Sequence, residues 1–349
     1  MVNEVRETKK GIFTISLDFE LYWGMRDVIS EEGYAANLEG VPNAIDRMLE
    51  CFEAYGIHAT WATVGFLYFP NRDILMRHLP SDRPHYRNSE YDLYNYIETH
   101  DTLKPVHHFA PEVIKKIIES PKQELATHTF SHYYCLEEGQ ERETFRADLQ
   151  AAIRVAKEQT GRGVESLVFP RNQWNESYLS VLSDLGIACY RGNEKGWVYS
   201  AASQEQNLLF KRALKLLDSH INLTGHHTYS LQELTGSRPY NIPSSRFLRP
   251  AKEGGIPLLE KLKLERIKRS MSYAAKKGEL FHLWWHPHNF GRDVEANIGQ
   301  LLKILEHYKK LEDQYGMRSL TMGEIAAELN EIDSSPGESQ MEPQRREER

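Results

Sequence analysis

Short apolar segments alternate with longer amphipathic segments along most of this chain, and this alternation limits the fold more than any other feature. Residues 12–17 and 57–64 are rich in apolar and β-branched side chains, which is typical of buried strands. Residues 41–56, between them, carry an apolar stripe at helical spacing, with Pro42 near the start and Gly56 at the end. A strand, a helix and a second strand in this order predict a parallel sheet.

The alternation resumes after residue 110. Helices are predicted over 111–120, 141–160, 177–185, 258–276 and 296–314, and strands over 124–126, 166–169, 187–190, 280–285 and 319–322. This gives about seven strand–helix units, one fewer than an ideal α/β barrel contains. The pattern predicts one barrel domain over residues 11–330.

Three parts of the chain do not follow the pattern. Residues 68–110 are rich in tyrosine, histidine and proline, and they are interpreted as a long insertion or lid on the barrel. Residues 191–256 have no clear periodicity and are predicted to be irregular. The polar residues 331–349 are predicted to form a disordered tail.

Composition excludes several classes of partner. The formal net charge of -7 argues against a nucleic-acid surface. The first ten residues are charged and have no apolar region, so no secretory signal is predicted, and no apolar run is long enough for a transmembrane helix. The three cysteines are widely spaced and favour a reducing compartment. A cytoplasmic location is therefore expected.

Polar side chains follow several predicted strands, at the end where parallel barrels carry their chemistry. Asp18 and Glu20 close the first strand, and alternate positions on an extended chain point the same way. His128 and His132 follow a later strand, and their spacing fits one side of a helical turn. Two imidazoles and a carboxylate make a three-ligand site with room for water, which suits metal-assisted hydrolysis.

Each of these features also has a structural explanation. A carboxylate pair can cap a helix or pair with a surface lysine, and two histidines can be satisfied in a polar core. For either pair alone the structural explanation is at least as good. Because both pairs occur at strand ends in one chain, the hypothesis of a metal site is favoured.

Other candidates complete the predicted site. Arg171 could orient a carboxylate or lie on the surface. His286 and His288 follow the most apolar strand, and either could donate a proton to a leaving group. The candidates for substrate contact are Gln173, Trp174, Trp285 and His288, although packing in the core is the simpler role of each tryptophan. Neither a glycine-rich phosphate loop nor a Gly-x-Ser-x-Gly motif is present.

The order of these motifs resembles that of the polysaccharide deacetylases, the NodB-homology group or carbohydrate esterase family 4. The motifs are Asp18-x-Glu20, His128-Thr-x-Ser-His132, Pro170-Arg171 and His286-Pro287, and they extend over about residues 11–325. Most members have adjacent aspartates, so Asp18-x-Glu20 places this chain near an intracellular-type subgroup. The resemblance implies a distorted (β/α)7 barrel and hydrolysis of N-acetyl groups on amino sugars, with zinc or a similar divalent ion.

Carried over residue by residue, the resemblance makes Glu20, His128 and His132 metal ligands. Asp18 would be the catalytic base, Arg171 the arginine that orients it, and His286 the general acid. The implied substrate is an N-acetylated saccharide: a polymer, a lipid-linked saccharide or a nucleotide-sugar of surface-polysaccharide metabolism. Two alternatives remain: a metal-free amide hydrolase of the allantoinase-like type, and a saccharide-binding barrel without activity.

Overall fold

The computed structural model describes residues 9–203, 209–251 and 254–335. Nine strands form one parallel sheet in this part of the chain: β1 Ile12–Phe19, β2 Ala59–Thr63, β3 Gln123–Thr127, β4 Ser166–Val168, β5 Cys189–Arg191, β6 Tyr240–Asn241, β7 Arg246–Phe247, β8 Leu280–Trp285 and β9 Arg318–Ser319. The strand order is β6-β5-β4-β3-β2-β1-β8-β7, and β9 pairs with β1. The sheet is therefore that of a parallel α/β fold.

The sheet curls because one segment joins its two ends. β6 and β7 lie at opposite ends of the strand order but are close together in the chain. Within residues 240–248, the Ile242 amide donates to Tyr190 of β5, and the Leu248 amide donates to Trp284 of β8. The prediction of an α/β barrel is confirmed. The expectation that residues 191–256 are wholly irregular is wrong, because β6 and β7 lie there. These two-residue strands pair with strands that are distant in the sequence, so they leave no periodic pattern.

Thirteen α-helices occur in the described residues and mostly cover the outside of the sheet. They are α1 Glu31–Glu39, α2 Val41–Tyr55, α3 Arg72–Met76, α4 Leu93–Thr99, α5 Pro105–His108, α6 Pro111–Glu119, α7 Arg142–Thr160, α8 Leu179–Asp184, α9 Leu209–Asp218, α10 Pro257–Lys277, α11 His288–Gly291, α12 Val294–Tyr315 and α13 Met322–Ser334. The helix α2 shows why the sequence signals worked. Pro42 lies in its first turn, and Gly56 ends it in a left-handed conformation.

Strand β1 shows how the barrel separates its apolar and polar residues. All eight of its residues are buried, as expected for a parallel strand covered on both faces. Phe13, Ile15 and Leu17 belong to the large apolar core, whereas Ser16 contacts Arg191 and His282 across the interior. Because side chains alternate, Asp18 lies on the same inner face at the carboxyl end of the strand.

The end of the chain differs from the prediction. Residues 322–334 form helix α13, which Thr321 caps by accepting from the Glu324 amide, so residues 331–334 are not part of a tail. Residues 336–349 lie outside the described part. Residues 68–110 carry α3, α4 and α5, which pack beside the carboxyl ends of the first strands. None of the described helices combines the length and apolar composition needed to cross a membrane.

Candidate active site

Asp18 is held by an arginine from across the barrel. Arg191, the last residue of β5, donates from Nη1 to Asp18 Oδ1 at 2.6 Å and from Nη2 to Asp18 Oδ2 at 2.7 Å. Both side chains are buried, and Arg191 also donates to Ser16 Oγ and Asn172 Oδ1. Burial by itself would raise the pKa of Asp18, but the Arg191 guanidinium, together with His128 and His286, outweighs burial and lowers it. Asp18 is therefore an oriented, ionised carboxylate.

Glu20, His128 and His132 form a compact cluster of metal-ligand type. One ligand atom from each lies within 4.8 Å of the others, and all three residues are buried. His132 Nε2 is 2.9 Å from Glu20 Oε2, and His128 Nε2 is 3.3 Å from the same oxygen. Burial lowers the pKa of His132 to about 4, which keeps its imidazole neutral and able to bind a metal ion at neutral pH.

The hydrogen bonding of His128 fits a bound cation. Its Nδ1 is 2.8 Å from the Val168 carbonyl oxygen, which can only accept, so Nδ1 carries a proton. In the neutral imidazole, the lone pair on Nε2 then points toward Glu20, also an acceptor, and this buried nitrogen has no hydrogen-bond partner. A cation between His128 Nε2 and the Glu20 carboxylate would remove this unfavourable contact between two acceptors. A histidine that donates its other nitrogen to a carbonyl is also typical of metal sites.

The histidines lie on a strained loop rather than on a helical turn, so that expectation is wrong. Thr129 and His132 have φ values of 64° and 57°, a region that side chains rarely adopt. Buried Asp148 of α7 holds the loop in this shape: it accepts from the Phe130 amide at 2.7 Å and from the amide and hydroxyl of Ser131. Tyr94 of α4 donates to the same carboxylate at 2.7 Å. The loop thus brings the two imidazole centroids to 5.0 Å.

A glycine leaves room for the Glu20 carboxylate. A Cβ atom built on Gly24 would overlap the Glu20 carboxyl group. The short 3₁₀ turn Leu21–Gly24 therefore lets the carboxylate pack directly against backbone. Burial raises the pKa of Glu20, but the facing histidines His286, His132 and His128 outweigh burial and hold it well below its usual range.

The two late histidines differ in position. His286 Nε2 lies 3.8 Å from Asp18 Oδ2 and 3.6 Å from Glu20 Oε1, and its side chain is 22% exposed. The His288 ring stacks on the His286 ring with their centroids 5.0 Å apart, and burial of His288 lowers its pKa to about 3. Only His286 can reach both the carboxylates and solvent, so the geometry favours His286 over His288 for proton transfer.

Arg171 does not orient Asp18, which corrects the sequence-based expectation. It forms an ion pair with Asp27, and its guanidinium lies 4.5 Å from the centre of the Tyr134 ring. Its backbone has a φ of 55°, which turns the chain after β4 and directs the side chain away from Asp18. The sequence motifs do not predict Arg191, although it directly follows a predicted strand, as Asp18 does.

One predicted substrate contact, Trp285, lies in the apolar core rather than at the site. Trp285 is fully buried and stacks on Phe290, so the expectation that it lines a saccharide site is wrong. The alternation of β8 explains this, because Trp285 is in register with the core residue Leu17 and Trp284 with the inward residue Ser16. Trp284 is the tryptophan at the site, 4.2 Å from the Arg191 guanidinium.

Two further candidates lie away from the reaction centre. Gln173 is buried and donates to Glu137 at 2.6 Å, which ties together two loops rather than facing a cleft. Trp174 packs beside Tyr190 with their ring centroids 6.1 Å apart. We therefore assign both residues to support of the loops, in place of the predicted contact with substrate.

Part of the chain is similar to a known protein family. The family model described as polysaccharide deacetylase matches residues 32–190, which include His128 and His132 but not Asp18, Arg191 or His286. No curated protein matches the chain.

Solved structures extend the similarity to nearly the whole chain. A structure from Mycobacterium smegmatis assigned as a polysaccharide deacetylase is 14% identical, with 95% of this chain and 94% of that chain covered and a TM-score of 0.57. The Puue allantoinase is 12% identical, with 92% and 91% covered and a TM-score of 0.52. At these identities the similarity establishes the barrel fold and nothing further.

Proposed function

Because the polysaccharide deacetylase family model matches residues 32–190 of this chain, we propose that it hydrolyses the N-acetyl group of an amino sugar in a saccharide and uses a divalent metal ion, zinc. The observation that carries this proposal is the convergence of two carboxylates on one histidine: Asp18 and Glu20 both lie within 3.8 Å of His286 Nε2. In the proposed roles, a general base, a metal-ligand carboxylate and a general acid would thus lie side by side, as amide hydrolysis requires.

Glu20, His128 and His132 would hold the metal ion. A divalent ion bound there supplies Lewis acidity, which makes water easier to deprotonate and polarises a carbonyl group. One carboxylate oxygen and two imidazole nitrogens form a donor set that zinc prefers, and three protein ligands leave a position open.

Asp18 would accept the proton of the attacking water while the water oxygen bonds to the acetyl carbon. Arg191 fixes both oxygens of Asp18 and keeps the carboxylate ionised, so that it is oriented for proton transfer. His286 would then give a proton to the sugar nitrogen as the C–N bond breaks. The products are acetate and a free amino sugar.

The test combines metal content with acetate release. We expect about one equivalent of a divalent metal ion in the purified protein by elemental mass spectrometry, and its loss in His128→Ala. The control His85→Ala, at an exposed histidine, should retain the metal ion. Asp18→Asn should keep the metal ion but release no acetate from N-acetylated oligosaccharides.

Other outcomes would select the alternatives. Amide hydrolysis by wild-type protein that contains no metal, even after reconstitution, would contradict the proposal and favour an allantoinase-like reaction. Saccharide binding with neither metal nor turnover would favour a barrel that only binds. Near-normal activity of Asp18→Asn would contradict the assignment of the base.

A further inference from the structure

A cleft of about 300 Å³ opens beside the reaction centre. His286, Asn172 and Trp284 line it on the side of Asp18. His286 Nε2 is 3.8 Å from Asp18 Oδ2, and Asn172 Oδ1 accepts from Arg191 at 2.9 Å. A saccharide with its acetyl group at Asp18 would therefore extend into this cleft.

The lining of the cleft is strongly basic, although the whole chain carries a formal net charge of -7. Among the described residues that line the cleft, five are cationic and one, Glu194, is a carboxylate; the cations are Arg171, Lys211, Lys215, Arg246 and Arg249. A cleft with one sign of charge between low-dielectric walls concentrates ions of the opposite sign.

Two of these cations are already neutralised. Arg171 pairs with Asp27, and Arg246 pairs with Asp218 beneath the cleft. Lys211, Lys215 and Arg249 have no ion pair among the described residues of the structure, and all three are half-buried. Three partly desolvated cations thus face a single lining carboxylate, which leaves an excess of positive charge.

The cations repel one another in this setting. Burial lowers the pKa of Lys215, and the neighbouring Lys211, Arg212 and Arg249 lower it further although Glu194 opposes them. Burial and the adjacent Arg246 likewise lower the pKa of Arg249. A bound anion would relieve this repulsion.

An aromatic wall connects the cations to the reaction centre. The Phe247 ring lies 5.7 Å from the His286 ring and 4.7 Å from the Trp284 ring. The Arg249 guanidinium lies 5.9 Å from the centre of the Phe247 ring. An apolar sugar face can pack on these rings while a charged substituent reaches Arg249 and Lys215.

We propose that this cleft is a subsite for a negatively charged substituent of the substrate, either a phosphate on the sugar or the carboxylate of a uronic acid. The proposal rests on the proposed function, because it deepens the identity of the saccharide. Arginine and lysine recognise both anions by charge-assisted hydrogen bonds. The two sources are distinguished by experiment.

The probes carry no acetyl group, so that binding can be measured without turnover. They are glucose 1-phosphate, the methyl glycoside of glucuronic acid, and neutral methyl glucoside. By titration calorimetry on the wild-type protein, we expect at least one of the anions to bind about tenfold or more tightly than the neutral glycoside. The advantage should shrink as salt is raised.

The variants locate the subsite. In Lys215→Gln/Arg249→Gln the advantage of the anion should fall about tenfold or more, whereas Lys303→Gln, at an exposed lysine of α12, should leave it unchanged. If the double variant does not fold, Lys211→Gln gives the same test, since its ammonium contacts Ser200 Oγ at 3.2 Å on the rim of the cleft. Preference for glucose 1-phosphate would indicate a phosphate-linked saccharide, and preference for the glucuronide an acidic polymer.

Failure of this subsite and failure of the proposed function give different results. The subsite would be overturned if the charged and neutral probes bind equally, or if the tighter binding of the anion survives in the double variant. Either result would do so even if acetate is released from neutral N-acetylated oligosaccharides. The cleft could instead bind anions selectively while the protein releases no acetate from either neutral or anionic N-acetylated sugars. That result would overturn the assignment of the subsite to a deacetylation substrate.

Discussion

Arg191 forms a two-point hydrogen-bonded pair with Asp18 across the interior of the barrel, with N–O distances of 2.6 and 2.7 Å. The two residues lie at the carboxyl ends of β5 and β1, and three other strands separate these two in the sheet. The pair forms because the sheet curls. Arg191 also donates to Asn172 Oδ1, so one guanidinium connects Asp18 to the rim of the basic cleft.

We predict that Arg191→Lys lowers kcat about 100-fold with little change in KM, because an ammonium group cannot hold both oxygens of Asp18. The metal ion should remain bound, because Arg191 contacts none of its ligands. Steady-state acetate release and elemental analysis measure both effects. Arg142→Lys, at an exposed arginine that donates to Ser180 Oγ, is the matched control and should behave as wild type. Equal kcat in the two variants would mean that Asp18 does not need this partner.

A second prediction concerns the space above Gly24. Gly24→Ala should weaken metal binding about tenfold or more, because the new methyl group would displace the Glu20 carboxylate from its place beside His132. Metal titration of the chelator-treated protein measures this effect. Gly299→Ala is the control, since a Cβ there meets nothing within 4 Å, and in helix α12 it should stabilise the fold by about 0.5–1 kcal/mol. Unchanged metal affinity in Gly24→Ala would contradict the role of Glu20 as a ligand.

Asp148 should act as a positioning residue for the histidine loop. In Asp148→Asn one oxygen becomes an NH₂ group that faces the donors of Phe130, Ser131 and Tyr94. We expect metal affinity to fall about 10–100-fold and the free energy of unfolding to fall by about 1–3 kcal/mol.

The matched control is Asp184→Asn, which removes an exposed ion pair with Arg146 and should cost at most about 1 kcal/mol. Metal titration and urea unfolding report the two quantities separately. Loss of stability with full metal affinity would show that Asp148 supports the fold but not the histidines.

The fourth prediction concerns pH and stability. His282 is fully buried, and burial with the nearby Arg191 lowers its pKa to about 3, from an ordinary value of about 6.5. Between these two values the unfolded chain binds a proton and the native protein does not. The contribution of His282 to the free energy of unfolding is therefore fully present above about pH 6.5 and is lost as the pH falls toward 3.

From pH 7 to pH 5, His282 alone should lower the free energy of unfolding by an amount on the order of 2 kcal/mol. Urea unfolding at the two pH values measures the difference, and His282→Gln should reduce it. The matched control is His100→Gln at an exposed histidine, and it should keep the full pH dependence. An equal difference in wild type and His282→Gln would contradict this assignment.

Several site residues could be recognised from the sequence because their signals are local. Asp18 and Glu20 end a buried strand at alternate positions, and in the structure both approach His286. His128 and His132 were found by their spacing and polar surroundings. Trp284 and Trp285 could not be separated, because adjacent strand residues face opposite sides and only the register with Ser16 and Leu17 shows which side is inward.

The sequence by itself determined the alternation of strands and helices, and with it the parallel barrel whose strand ends carry carboxylates and histidines. Periodicity and composition act over a few residues, so they suffice for this. Only the tertiary structure decided that Arg191 rather than Arg171 holds Asp18, because that pairing depends on curvature of the sheet and on the backbone turn at Arg171. It also gathered Lys211, Lys215 and Arg249 around one cleft, since charges from distant segments meet only when the chain folds.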